Sequence, residues 1–154
     1  MQTPRPFPDL LSELIDCLEQ KAKFLEAFLD LTKSLRDRLT AQEWSGVEGL
    51  LKQRQDLIFT VDQMNVRIQA LRSRQPLDPK GLPDVQRKRV SSLLDSLRAI
   101  SEEARAVDKD CMDRMTEWRG QIKSQLSRTR GSLKAVHGYV QKPIRPPKFL
   151  DVRR

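Results

Sequence analysis

Few residues in this sequence could do chemistry, and none stands in a pattern that assembles a site. His137 is the one histidine in 154 residues. A single imidazole cannot supply a paired-histidine metal motif or a histidine cluster. It falls at the end of a basic helical stretch, where a solvated surface position is its expected place. Cys17 and Cys111 are far apart and form no CxxC pair, which argues against a disulfide framework or a zinc site. Both read as small reduced core or near-core residues, Cys111 on an apolar stripe and Cys17 beside one. The paired acids Glu102-Glu103 and Asp108-Asp110 occupy the polar side of a helical pattern. The six glycines are scattered, so no Gly-rich loop cradles a phosphate. No nucleophile and base can be placed together. The expected catalytic, metal and cofactor sets are therefore empty, and the chain reads as a binding protein rather than an enzyme.

Charge is distributed unevenly. From Arg119 onward there are ten basic residues and one acid, Asp151, a balance of +9. Residues 1–118 hold the other 19 basic and 20 acidic residues, a balance of −1. The short cluster Arg87-Lys88-Arg89 is offset by Asp84 and Asp95. An excess of positive charge at one end can meet nucleic acid, an anionic membrane or an acidic protein face. The basic residues of the C-terminal part interleave with apolar ones at helical spacing, which favours a protein groove. Mean hydropathy is −0.61, and no run of about 18 apolar residues could span a membrane. Met1–Pro8 has no apolar segment of the secretory type, so the expected location is the cytoplasm.

Three elements must position whatever binds. Prolines cluster at 4, 6 and 8, at 76, 79 and 83, and at 143, 146 and 147. The long proline-free blocks between them permit long helices. Phe7, Leu11, Leu14, Leu18, Leu25, Phe28, Leu35 and Leu39 keep a three-and-four spacing, interrupted at Lys21 and Thr32. Helix 1 is predicted over about 8–39. Thr40-Ala-Gln-Glu43 reads as a capping box, which places helix 2 at about 41–72. Its stripe is Trp44, Val47, Leu50/Leu51, Leu57/Ile58, Val61, Met64, Ile68 and Leu71; Gly46 and Gly49 weaken its start or allow close packing. Ser73–Asp84 is a Pro- and Gly-rich loop. Helix 3 is predicted over about 85–138, with 139–154 as a flexible, extended tail. The fold class is all-α, an elongated three-helix antiparallel bundle in one domain, 1–154.

The predicted lengths do not match. At 1.5 Å per residue helix 3 reaches about 80 Å, and helices 1 and 2 only about 48 Å. Antiparallel packing should leave helix 3 unaccompanied beyond about residue 116. Its apolar stripe nevertheless continues through Trp118, Ile122, Leu126, Leu133 and Val136. Exposed apolar stripes mark interaction sites, and these five residues are the candidate partner-binding set. Gly120, Gly131 and Gly138 lower helix propensity here, which predicts a segment that frays alone and orders on its partner.

Two segments carry a family resemblance. One is Leu39–Leu71, in which Trp44, Leu50, Leu51, Arg54, Leu57 and Ile58 follow a small helix start and an L-x-x-L-L-x-x-R-x-x-L-I-like pattern. The other is the end of the chain, with Tyr139, a Pro-rich spacer, then Phe149, Leu150, Asp151 and Arg153. Together they resemble the FlgN-type flagellar export chaperones. The resemblance implies a cytoplasmic chaperone of flagellar type III export, acting without a cofactor or small-molecule substrate. Its clients would be the flagellar hook-associated (hook–filament junction) proteins, bound through their C-terminal helical segments and delivered to the export gate. The family's gate contact includes a C-terminal tyrosine, which maps onto Tyr139. The alternatives are a FliT-type chaperone or an export-apparatus coiled-coil component. The coiled-coil component is usually a two-helix hairpin, which the third helix here argues against. From another class, the chain could be a basic helical nucleic-acid-binding protein, a reading that lacks any recognised nucleic-acid motif.

Overall fold

The computed structural model describes the backbone of residues 7–74 and 79–140. It is all-helical, with no strand among the described residues. Helix α1 is Phe7–Ala41, α2 is Val47–Arg74 and α3 is Asp84–Val140, with one 3-10 turn at Pro79–Gly81. The tail expected over 141–154 lies outside the described residues. The chain divides into two compact units, Met1–Met115 and Thr116–Arg154.

The boundary between α1 and α2 differs from the capping-box reading. The Thr40 hydroxyl donates to the Arg36 carbonyl 2.8 Å away, one turn back in α1, so it caps nothing ahead of it. The Glu43 amide donates to the Arg38 carbonyl at 2.9 Å, and the Gln42 amide to the Leu39 carbonyl at 3.3 Å. Gln42 has φ of 57°. This pair of bonds around a left-handed residue is a Schellman stop, built here without glycine. Helix α2 then starts at Val47, six residues beyond the expected 41. Gly46 is its N-cap: its carbonyl accepts from the Leu50 amide at 3.1 Å, and its φ is 79°. The Arg38 guanidinium donates to the Ser45 carbonyl across the connection. Trp44 thus sits in the connection and packs half-buried onto the core. Gly49 has open space where a Cβ would stand, so it does not serve close packing.

In the first unit the core runs through all three helices. One cluster joins Leu29, Leu35 and Leu39 of α1, Val47 of α2, and Ala104, Val107 and Cys111 of α3. A second joins Leu14, Cys17 and Leu18 with Met64, Leu71 and Leu97. A third sets Leu11 and Ile15 against Leu82, so the segment leading into α3 is anchored in the core. Helix α1 meets both other helices, and a helix with two neighbours buries a wider arc than one stripe. That accounts for Ile15, Cys17 and Leu29, all buried and all off the predicted α1 stripe.

Thr32 is fully buried, and its hydroxyl donates to the Phe28 carbonyl at 2.7 Å. The polar interruption read from the sequence is satisfied inside its own helix. The Cys111 thiol approaches the Thr32 carbonyl at 3.6 Å, linking α3 to α1. Arg54 of α2 pairs with Asp108 of α3, and its guanidinium carbon lies 4.9 Å from the centre of the Phe28 ring of α1. One residue therefore touches all three helices. Further pairs cross the helices: Arg67 with Glu13 at 2.8 Å, Lys33 with Glu103 at 2.6 Å, and Arg89 with Glu19. These are largely solvated and each stabilises by about 1 kcal/mol or less. The apolar clusters hold the unit together.

Candidate protein-docking face

The described part of the second unit, residues 116–138, buries nothing. Among the described residues beyond Met115 no side chain is buried, and Ile122 alone is half-buried. Its sequence stays helical to Val140, in spite of Gly120 and Gly131 and with Gly138 in the last turn. At 100° per residue, Trp118, Ile122, Leu126, Leu133 and Val136 fall within about 80° of arc on this helix. Trp118 is 37% exposed, Leu126 53%, Leu133 55% and Val136 58%. In the first unit the same helix buries Leu97, Ala104, Val107 and Cys111 at equivalent spacing. The five candidate residues are thus brought onto one face, and that face is open to solvent.

Sequence reasoning missed one member of the stripe. Thr129 fills the gap between Leu126 and Leu133, on the same arc. Its hydroxyl donates to the Gln125 carbonyl at 3.0 Å, so its polar group is satisfied within the helix. The signal was its spacing, three residues beyond Leu126 and four before Leu133. Tyr139 lies in the last turn of α3, and its side chain is outside the described part of the structure.

Nothing in the described residues gathers a reactive centre. No group of three or more His, Cys, Asp or Glu side chains among them could hold a metal ion. Cys17 and Cys111 are separately buried in two different clusters. Burial pushes both thiols up from their ordinary value of 9.0, against a smaller opposing pull from Arg67 on Cys17 and from Arg54 on Cys111. Both are therefore held as neutral thiols, inert as nucleophiles at neutral pH. His137 is exposed, as expected. A groove of about 570 Å³ in the first unit has a floor that includes Leu14, Leu18 and Ile68, and no cysteine or histidine lines it. No helix among the described residues is long and apolar enough to cross a membrane.

The chemistry available is therefore that of a helical surface. It can bury apolar side chains of a partner and offer cations beside them. No curated protein and no solved structure matches the chain. The model of one family, described as FlgN protein, matches residues 1–144. With nearly the whole chain covered, this helical protein belongs to the FlgN family of flagellar export chaperones.

Proposed function

We propose that the protein binds the C-terminal helical segments of hook–filament junction proteins in the cytoplasm and delivers them to the flagellar export gate. The observation that carries the reading is the stripe of Trp118, Ile122, Leu126, Leu133 and Val136, exposed except for the half-buried Ile122, along a stretch where no described side chain is buried. Contiguous apolar surface on a soluble helix marks a partner site. The whole chain, 1–154, works as one chaperone module. Its first unit is an antiparallel up–down–up bundle. Two pairs support that arrangement: Glu13 with Arg67 and Arg54 with Asp108 join early residues of one helix to late residues of the next.

The stripe is tested by Ile122→Asp and Leu126→Asp. A client helix laid along the face would bury the new carboxylate unpaired, at a cost of several kcal/mol. At about 1.4 kcal/mol per tenfold, affinity for the junction-protein segment should fall by more than about a hundredfold. Leu126 is exposed and Ile122 only half-buried, and neither belongs to a core cluster, so melting temperature should hardly change. A large drop in melting temperature for both variants would reject the free-stripe reading.

Tyr139 carries the gate contact in this proposal, on its resemblance to the family's C-terminal tyrosine. Tyr139→Ala should then leave client titrations unchanged and weaken capture by the purified cytoplasmic domain of the export gate. Loss of client affinity instead would make Tyr139 the last apolar residue of the stripe.

A further inference from the structure

The apolar face of residues 118–137 has two unlike borders. Arg119, Lys123, Arg130 and Lys134 follow one another at intervals of four, seven and four, the progression that keeps a helical line. They fall within about 60° of arc, immediately beside the apolar stripe. All four are exposed, and none makes an ion pair among the described residues. The opposite border carries Gln121, Gln125 and Ser132, which are neutral. No acidic residue occurs between Trp118 and Val140 to offset the row. Arg128 lies just beyond the neutral border, about 80° from the stripe's edge, a single cation opposite a row of four.

We propose that this one-sided basic row makes the face selective for an amphipathic helix that carries carboxylates along a single border of its apolar stripe. The inference rests on the client-binding reading and specifies the chemistry of the client segment. An apolar stripe alone accepts any amphipathic helix of suitable width. A row of four cations beside it penalises a partner that brings lysines or arginines to that edge, and favours one that brings Asp or Glu. The neutral border imposes no such demand. The charges at this rim govern capture rate and salt sensitivity, and the stripe governs residence. The chain's own C-terminal segment is a poor occupant on the same grounds, since Asp151 is its one acid among five basic residues.

The test uses the full chain and two synthetic amphipathic peptides with the same apolar stripe. One carries four Glu along one border, the other four Lys. The wild type should bind the Glu peptide at least about tenfold more tightly at low salt, and raising salt to about 0.5 M should remove most of that preference. The variant with Arg119, Lys123, Arg130 and Lys134 all changed to Gln should lose the preference while keeping its helicity by circular dichroism. Arg128→Gln, beyond the neutral border and outside the row, should keep the preference. Equal binding of both peptides by the wild type, with both lost in Ile122→Asp, would overturn the charge selection and leave the stripe standing. Binding of neither peptide, with Ile122→Asp indifferent to the junction-protein segment, would overturn the client site as well. Preference for phosphatidylglycerol vesicles over the Glu peptide would also overturn the proposal, by making the row a lipid contact.

Discussion

Cys17 and Cys111 are small apolar residues in this fold, and their buried thiols make a measurable statement about pH. In the unfolded chain each ionises near 9.0; burial holds the native thiol protonated to higher pH. Below 9.0 both states keep the proton and the thiols contribute no pH dependence. Above it the unfolded chain has released protons that the native chain retains, so stability falls as pH rises. Urea midpoints of the wild type should therefore decline between about pH 8.5 and 10.5 more steeply than those of the Cys17→Ala/Cys111→Ala double variant. Parallel curves would mean that the thiols are not shielded. Alkylation by iodoacetamide should likewise be slow in the native state and fast in urea. Arg54 illustrates a different residue-level point. Its place in a family-like pattern is visible in the sequence, and its contact with Phe28 and Asp108 is not. Its Nε is buried without a hydrogen-bond partner, a cost that the ring and the carboxylate offset.

At the scale of the element, the start of α2 turns on two glycines that look alike in sequence and behave in opposite ways. Gly46 has φ of 79°, and an added Cβ would come within 3.3 Å of the Arg38 guanidinium. Gly46→Ala should cost about 1–2 kcal/mol from the left-handed backbone alone. Gly49 is helical with nothing near its Cβ position. Gly49→Ala should stabilise by up to about 1 kcal/mol. Chemical denaturation of the two single variants checks both signs, and stabilisation by Gly46→Ala would contradict the cap assignment. The same argument applies in the second unit, where Gly120 and Gly131 also face open space. The displaced start of α2 has a local cause. Thr40 and Glu43 have the right types and spacing for a capping box, yet the left-handed Gln42 diverts the backbone between them. A hydroxyl can bond one turn back or cap ahead, and the sequence pattern is the same for both.

At the scale of the whole molecule, helix propensity and burial part company along α3. Residues 84–115 contribute Leu97, Ala104, Val107 and Cys111 to the core, and residues 116–138 contribute no buried side chain. Backbone hydrogen bonds without apolar cover open easily. Amides of 116–138 should therefore exchange faster than those of 90–112 in the isolated protein, by about a hundredfold or more if the first unit holds even 3 kcal/mol more protection. Equal protection along α3 would mean that the apolar face is covered in solution. Addition of the client segment should slow exchange in the second unit first.

Much of this protein is legible in its residues alone. Apolar spacing and proline punctuation specify three helices, because helical periodicity depends on near neighbours in the chain. The continuing stripe from Trp118 to Val136 and the charge boundary beside it are visible for the same reason. The breadth of the α1 core face is not, since Ile15, Cys17 and Leu29 become interior only when two other helices lie against α1. The burial of Thr32 and the three-helix contact of Arg54 depend equally on neighbours distant in sequence. The choice between Thr40 and Gly46 as the point where α2 is capped is not legible either, since the Thr40 hydroxyl bonds back to Arg36 and the chain turns at the left-handed Gln42. Local pattern decides where a helix can form; the packing of one helix on another decides which face is interior and where the chain must turn.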